Sequence, residues 1–191
     1  FYRKSRFEAE KSGTFWLSET PDVPASKSWG TCCTRVCSYL VLRDKSTGKR
    51  FCFANTHTDH VSALAREKGM LLIIERMNEF GKGAPIVFTG DHNCRENEKP
   101  ALAVSELLKN ALYVTETPPK GSWRTFEGWD WRDEEVSTVE ALKYPVDVRN
   151  ARKGSPDAEK IGGLHPYEKF GPRIDYIYVS EGTRVLDFTT H

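Results

Sequence analysis

The run from Ile86 to Asn93 constrains the fold of this chain more than any other feature of its 191 residues. Its first three residues are apolar and predict a buried strand, which ends at Gly90. Asp91 and Asn93 follow at once, two positions apart. A strand end holds polar side chains in a fixed relation, which suits the binding of a metal, a water molecule or a phosphate. An ordinary turn is the alternative, because Asp and Asn also cap their own backbone after strands.

Two other apolar strands carry polar groups of the same kind. The first runs from Phe51 to His57 and ends in Asn55 and His57, which should point to the same side of the strand. The second runs from Arg173 to Ser180 and has Asp175 near its start. Three separate strands therefore each supply an acid/base group or a potential ligand.

The three blocks, in this order, resemble the endonuclease/exonuclease/phosphatase superfamily, the deoxyribonuclease-like metal-dependent phosphodiesterases. The matching blocks are Asn55 to His57, Gly90 to Asn93 and Arg173 to Ile177, and the opening stretch Gly13 to Pro21 is similar to bacterial members. The resemblance spans nearly the whole chain. It implies an α/β (α+β) fold, namely a two-sheet β-sandwich flanked by helices in four layers, α/β/β/α. Many strands separated by helices fit a mixed α/β domain independently of the resemblance.

The resemblance also implies a hydrolase of phosphodiester or phosphomonoester bonds that uses Mg²⁺ or Mn²⁺. Asp91 is expected to position or deprotonate the attacking water. His57 is expected to donate to the phosphate or the leaving group. Asn93 can donate its amide or bind a cation through its carbonyl, so Asp91 and Asn93 are the predicted metal ligands. Asp175 takes the family's role of orienting the catalytic cluster.

Asn55 and Trp129 are the predicted substrate-binding residues. Asn55 braces the site, although a structural role is equally compatible with its position. Trp129 belongs to a block, Thr125 to Trp129, that looks like a rim segment of bacterial members, and it is suited to stacking on a base or sugar. Core packing is the alternative for Trp129. His92 stands where the family usually has Phe, and a buried imidazole needs a partner or solvent.

Two landmarks of the family have no counterpart in the sequence. The metal-binding Glu of an N-terminal Gln-Glu block is absent, and so is a C-terminal Ser-Asp-His, because His191 lacks the preceding Asp. We therefore expect a single domain over residues 1–191 that lacks its N-terminal part and its C-terminal strand. A non-catalytic binding module that retains the fold is the alternative function.

The amino-acid composition excludes few classes of binding partner. The 28 basic residues nearly balance the 27 acidic ones, so there is no overall basic excess for nucleic acid. Nucleic acid, a nucleotide or a phospholipid head group all remain candidate phosphoester substrates. No apolar run reaches the length of a membrane span, and no specific protein partner or cellular location is indicated.

The five cysteines are interpreted as structural or free thiols. Cys33 and Cys37 have a spacing seen in some metal sites, but no second pair follows, so a zinc site is not predicted. His60 follows His57 by three residues and suggests a metal pair, although a solvated histidine at a helix start is favoured.

Periodicity predicts the remaining elements. Residues 35–43 and 50–56 form a hairpin, and a helix over 61–80 has Asp59 as its cap and Leu64 on its apolar face. A strand covers 86–89, and a helix begins at Pro100 and runs to about 109. Further strands are predicted at 15–19, 111–115 and 183–188. The stretch from 118 to 172 has little periodicity and is interpreted as a rim over the active site, with an irregular surface insertion as the alternative.

Overall fold

The structure, a computed structural model, describes residues 1–126, 135–155 and 160–191. Its main element is a six-stranded mixed sheet in the order β1-β2-β3-β4-β7-β5. The pairing of β3 with β4 is parallel, and the other neighbours in this sheet are antiparallel. A second, two-stranded sheet pairs β6 with β8. The strands are β1 (Phe7–Trp16), β2 (Val36–Asp44), β3 (Arg50–His57), β4 (Ile86–Asp91), β5 (Lys109–Asn110), β6 (Lys120–Gly121), β7 (Asp175–Val179) and β8 (Thr189–Thr190).

The described helices are one long helix and several short ones. The longest, α1 (Ala63–Gly81), connects β3 to β4, as a parallel strand pair requires. The shorter ones are α2 (Lys99–Ser105), a 3₁₀ turn (Ala111–Tyr113), α3 (Thr138–Ala141), α4 (Val146–Arg149) and α5 (Pro166–Phe170). The mixed α/β class predicted from the sequence is confirmed. No helix in the described ranges is both long enough and apolar enough to cross a bilayer.

One face of the large sheet is covered by α1. Strand alternation turns Cys37, Val41, Cys52 and Ala54 toward this face, where all four are fully buried. The helix contributes its own apolar stripe, Met70, Ile73, Ile74 and Met77. These side chains form a single apolar core, which fixes β2, β3 and β4 side by side.

The other face of the sheet is apolar but only half-buried in the described chain. Leu40 on β2, Phe53 on β3 and Val87 on β4 lie in one row, because Leu40 pairs with Phe53 and Phe53 with Val87. Ile177 on β7 remains 39% exposed. Such a face is typical of a sheet that packs against another layer.

Helix α1 begins at a doubly capped turn. Ser62 is the N-cap and accepts from Ala65 N, while the buried Asp59 accepts from Val61 N and Ser62 N. Burial alone would raise the pKa of Asp59, but hydrogen bonds from Ser62, Cys32 and Thr31 hold it below its usual value. Asp59 therefore caps the turn before the helix, and the predicted cap position was three residues early.

The predicted faces of α1 were partly wrong. Leu64, expected on the apolar stripe, is 49% exposed, whereas Arg66, expected on the polar face, is buried. Arg66 Nη1 donates to Asp59 O at 3.0 Å, and this hydrogen bond holds the guanidinium against the capping turn. This contact satisfies Nη1, whereas the buried Nε of Arg66 has no hydrogen-bond partner among the described residues.

Several predicted elements differ in the structure. Of the strand expected at 15–19, only residues 15 and 16 are strand, at the end of β1, which begins at Phe7 and pairs with β2. The strand expected at 111–115 is a 3₁₀ turn, because the Asn110 side chain accepts from Leu112 N and curls the backbone. Residues 183–188 form no strand apart from a single bridge at Val185. The helix predicted from Pro100 to about 109 is shorter and ends at Ser105.

The stretch from 118 to 172 contains short elements rather than one loop. In its described parts, β6, α3, α4 and α5 surround a second apolar cluster built on Trp123 and Phe170. Val179 of β7 joins this cluster, so the segment packs against the end of the large sheet.

His92 is fully buried within an aromatic group. Its ring stacks on Phe88 and Tyr178, with centroids 4.7 and 5.6 Å away. Neither ring nitrogen has a hydrogen-bond partner among the described residues, although the Thr89 backbone lies near. Burial lowers the pKa of His92 from 6.5 to about 3, so the folded chain holds a neutral imidazole.

We predict that His92→Phe raises the free energy of unfolding by about 1–3 kcal/mol near neutral pH, because an unsatisfied buried polar ring is replaced by an apolar one.

The pH dependence of stability tests the same burial. The folded-state pKa of His92 lies below the unfolded value of 6.5, so the wild-type chain loses stability as the pH falls from 6.5 toward about 3. The loss is at most about 1.4 kcal/mol per pH unit. Urea unfolding at several pH values should show this slope in wild type and its reduction in the variant, and identical slopes would contradict the prediction.

Candidate active site

Three neighbouring strands place the predicted catalytic residues in one line. In the parallel ladder His57 of β3 pairs with Asp91 of β4, and in the antiparallel ladder Asp91 pairs with Asp175 of β7. Paired residues on adjacent strands lie about 4.5–5.5 Å apart and present their side chains to the same face. The structure therefore brings together three residues that are widely separated in sequence.

The glycine at position 90 allows β3 and β4 to approach at this point. A Cβ there would lie 1.9 Å from the backbone oxygen of Thr56, and the Gly90 φ of 144° is one that L side chains rarely adopt. Any side chain would push the strands apart just before His57 and Asp91 pair. The Gly-Asp order in the motif thus has a local steric reason.

The His57 imidazole and the Asp91 carboxylate are in direct contact. His57 Nε2 lies 3.4 Å from Asp91 Oδ2, and the side chains are 55% and 27% exposed. At this distance the contact is longer than a well-formed hydrogen bond, so a small movement or a bound ligand can tighten or replace it. The imidazole and the carboxylate are both accessible to solvent and to a substrate.

Asn93 is held by the turn that follows β4. Its backbone N donates to Asp91 Oδ1 at 2.8 Å, and its φ is 47°, the left-handed conformation that Asn tolerates better than most residues. Its amide nitrogen donates to Thr58 O at 3.0 Å. The side-chain carbonyl is then the atom left to accept or to bind a cation. The Asx turn and the predicted ligand role are therefore compatible.

Asp175 is half-buried beside its two partners. Burial raises the pKa of its carboxyl and the Asp91 charge adds to this, while the Thr125 hydroxyl and the charges of Arg173 and His57 oppose it. Thr125 Oγ1 also accepts from Ile174 N and Asp175 N, at 3.1 and 3.0 Å. An open cavity of about 430 Å³ borders Asp175, and its walls include Thr89, Thr125 and Thr190.

Arg173 is a buried structural cation. Its side chain is buried and donates Nη1 to Trp123 O at 2.7 Å. Its guanidinium also lies 5.3 Å from the ring centroid of Phe188, a member of the second apolar cluster. Burial lowers the pKa of Arg173, in keeping with a cation surrounded by apolar rings. Arg173 therefore ties the second apolar cluster to the start of β7.

The two predicted substrate-binding residues have different outcomes. Asn55 lies on the same face as His57, two residues earlier, and donates to Thr89 Oγ1 at 2.9 Å. Trp129 lies outside the described residues. Thr125 and Thr58 were not singled out as site residues, yet both hold the backbone of the site. Of these two, only Thr125 could have been found from the sequence, because it begins the block that resembles a rim segment.

The donor set fits a hard divalent cation. Asp91 and Asp175 supply carboxylate oxygens and Asn93 a carbonyl oxygen, which is the chemistry that Mg²⁺ and Mn²⁺ select. The register of β4 and β7 sets the two carboxylates side by side, and the partial burial of Asp175 favours neutralisation by a cation. These three residues are the ones in this part of the described chain that could hold such an ion.

Comparison with solved structures identifies the fold. An endonuclease/exonuclease/phosphatase from Bacteroides vulgatus matches with a TM-score of 0.72 and 28% identity, over 98% of this chain and 59% of that one. The mannosyl-6-phosphatase of Bacteroides thetaiotaomicron matches with a TM-score of 0.67 and 30% identity, over 98% and 58%. TDP2 of D. rerio, solved with a single-stranded DNA product, is 14% identical at a TM-score of 0.52, over 93% and 55%, and supports the fold alone.

The chain therefore matches the endonuclease/exonuclease/phosphatase family by structure over nearly its whole length, and it is related to phosphoester hydrolases of that family. It spans less than two thirds of the length of the solved structures that it matches. No family model and no curated protein matches the chain.

We predict that Gly90→Ala lowers the free energy of unfolding by more than about 3 kcal/mol, because an unfavourable φ and a backbone clash act together. Gly83→Ala is the matched control, since Gly83 also has a positive φ, of 78°, but a Cβ at that position would meet no atom within 4 Å. Its cost should be about 1–2 kcal/mol. Equal losses in chemical denaturation would show that β3 and β4 do not approach this closely at Gly90.

Proposed function

We propose that the protein is a divalent-metal-dependent hydrolase of phosphoesters. The observation that carries this proposal is the line of His57, Asp91 and Asp175 across three adjacent strand ends, with His57 Nε2 3.4 Å from Asp91 Oδ2. Imidazole and carboxylate in contact are suited to moving a proton, and a second carboxylate beside them is suited to holding a cation. The match to family members over 98% of the chain supports the same chemistry.

The proposed roles follow from the position of each group. Asp91 accepts a proton from the attacking water or orients it through Oδ2, because Oδ1 already accepts from Asn93 N in the turn. His57, more exposed, donates to a phosphoryl oxygen or to the leaving group. Asn93 presents its carbonyl oxygen to the cation or, after a turn of its amide, an N–H to the phosphate. Asp175 orients the cluster from the half-buried side.

A bound Mg²⁺ or Mn²⁺ would neutralise charge on the phosphoryl oxygens, and Asp91, Asn93 and Asp175 would hold it. The chain's own residues then perform the remaining tasks of positioning the water and moving its proton. The turn at Asn93 is rigid, because the Asx hydrogen bond and the contact with Thr58 fix it at both ends. Rigid positioning contributes much of the acceleration in phosphoryl transfer.

Among phosphoesters, we favour a phosphomonoester substrate over nucleic acid. The net charge of +1 leaves no overall basic excess to attract a polyanion. The relative with 30% identity is named a mannosyl-6-phosphatase, whereas the DNA-bound relative shares only 14% identity. A panel of sugar phosphates, nucleotides, phospholipid head groups and single-stranded DNA, each with and without Mg²⁺, tests this choice.

We also propose that the six-stranded sheet is one layer of a two-sheet sandwich. The half-buried row of Leu40, Phe53 and Val87 supports this, since a second sheet would bury it. Together with helices on the outer faces this gives the four-layer α/β/β/α arrangement that the sequence resemblance implies.

We predict that Asp91→Asn lowers kcat about 10²–10⁴-fold in a preparation with Mg²⁺-dependent activity, because Asn cannot accept the proton. Its stability should change little, since the Asn carbonyl still accepts from Asn93 N. Asp187→Asn, which removes an exposed carboxylate elsewhere, is the matched control. Turnover near that of wild type would remove Asp91 from the mechanism, and loss of folding would favour the turn-cap role.

We predict that the 191-residue chain by itself binds Mg²⁺ weakly and hydrolyses phosphoesters poorly. Its donor set has two carboxylates and one carbonyl, and the family's Gln-Glu and Ser-Asp-His blocks do not occur in the sequence. The half-buried apolar face should also promote association. Calorimetric Mg²⁺ titration, light scattering and a phosphoester assay test this together. Strong Mg²⁺-dependent hydrolysis by a monomeric 191-residue chain would refute it.

A further inference from the structure

A second group of metal-binding side chains lies at the turn before α1. Cys32, Cys33, Asp59 and His60 each place one ligand atom in a cluster whose members all lie within 4.8 Å of one another. Cys32 Sγ lies 3.0 Å from Cys33 Sγ and 3.1 Å from Asp59 Oδ1. The same sulfur lies 3.7 Å from His60 Nδ1 and 3.8 Å from Nε2.

Side-chain rotations would convert this cluster into a tetrahedral zinc site, in which Cys32 Sγ moves slightly away from Cys33 Sγ and Asp59 Oδ1. With Zn–S bonds of about 2.3 Å and Zn–N bonds of about 2.0–2.1 Å, neighbouring ligand atoms lie roughly 3.3–3.8 Å apart. Two sulfurs, one imidazole nitrogen and one carboxylate oxygen make four ligands, and all four belong to types that bind Zn²⁺. Three of the residues, Cys32, Cys33 and His60, are exposed, so an ion can enter from solvent.

The charge around the cluster suits a bound zinc ion. Zn²⁺ with two thiolates, a carboxylate and a neutral imidazole carries a net charge of −1. The guanidinium of Arg35 lies beside the cluster, with Nη2 3.2 Å from His60 Nδ1, and supplies the balancing positive charge. An Arg35 N–H can only donate to the Nδ1 lone pair, which puts the proton of a neutral His60 on Nε2. Arg35 therefore has to release Nδ1 when either ring nitrogen of His60 binds the ion.

Hydrogen bonds already hold the cysteine part of the cluster against the part that contains Asp59 and His60. Cys32 N donates to Asp59 Oδ1 at 3.1 Å, and Ser62 Oγ donates to Trp29 O at 2.7 Å. The residues from 29 to 33 are therefore docked on the turn that starts α1, although 27 positions separate Cys32 from Asp59. A metal ion would find its ligands close to their final positions, which lowers the entropy cost of binding.

The cluster differs in chemistry from the oxygen-lined candidate active site. Thiolates select Zn²⁺ over Mg²⁺, whereas the carboxylates and the amide at Asp91, Asn93 and Asp175 suit the hard cations. It also differs from the Cys33–Cys37 spacing noted in the sequence, because Cys37 is buried in the core and faces away from solvent.

We propose that Cys32, Cys33, Asp59 and His60 form a structural zinc site that fastens the 29–33 loop to the start of α1. The site is independent of the proposed hydrolase function. Binding replaces the hydrogen bond from the Cys32 thiol to Asp59 with a thiolate–zinc bond, so the thiol protons are released to solvent as the ion enters.

The test is metal titration of the reduced 191-residue chain after chelator treatment. Co²⁺ should bind with one equivalent, give tetrahedral ligand-field bands and a thiolate charge-transfer band, and be displaced by one equivalent of Zn²⁺. Cys32→Ser, Cys33→Ser and His60→Gln should each weaken Zn²⁺ binding on the order of 100-fold, as expected for loss of one ligand of four. Zn²⁺ should raise the Tm of wild type but not of these variants.

Three control variants test whether Zn²⁺ binds at this cluster or elsewhere on the chain. Cys94→Ala removes a buried thiol outside the cluster, His191→Gln removes another exposed histidine, and Asp91→Asn alters the oxygen-lined site. All three should bind Zn²⁺ as wild type does. The absence of a thiolate charge-transfer band, equal affinity in the cluster variants, or loss of Zn²⁺ binding only in Asp91→Asn would each overturn the proposal. A Cys32–Cys33 disulfide in place of metal binding under reducing conditions would overturn it too.

Discussion

The pairing of β4 with both of its neighbours is the constraint on which the rest of the structure depends. Ile86 and Phe88 are almost fully buried under α1, and this burial fixes which residues of β4 face the helix. Asp91 then falls on the opposite face, in register with His57 and Asp175. A slip of one residue would turn these polar groups toward the apolar core, where an unpaired charge is costly. The same packing therefore stabilises the sheet and assembles the candidate site.

The sequence predicted those features that depend on local pattern. The β2–β3 hairpin, helix α1 and strand β4 each have a clear period and turn residues at their ends, so their existence followed from periodicity. The polar strand ends were recognisable in the same way. Local pattern did not indicate which strand ends would meet. That expectation came from the family resemblance, because β4 and β7 are neighbours in the sheet but lie more than 80 residues apart in sequence.

The features that were missed depend on contacts distant in sequence. The first half of β1, where Phe7 and Ala9 alternate with Glu8 and Glu10, was not predicted as a strand. It pairs with β2, and Glu10 contacts both Arg43 and Arg50. Arg66 lies inward because a backbone oxygen at the capping turn accepts from it. His92 stacks in an aromatic cluster that no local rule indicates. In each case tertiary contacts outweighed local propensity.

The turn from His57 to His60 separates two kinds of chemistry over a very short span. His57 ends β3 on the face of the carboxylates, whereas Asp59 and His60 lie with the thiols of the 29–33 loop. Thr58, fully buried between them, donates its hydroxyl to His92 O, and its backbone oxygen accepts from Asn93 Nδ2. These two contacts hold the turn in place from within. Mg²⁺ and Zn²⁺ would then each find different donors, because the strand-end carboxylates and the thiols of the 29–33 loop belong to separate groups.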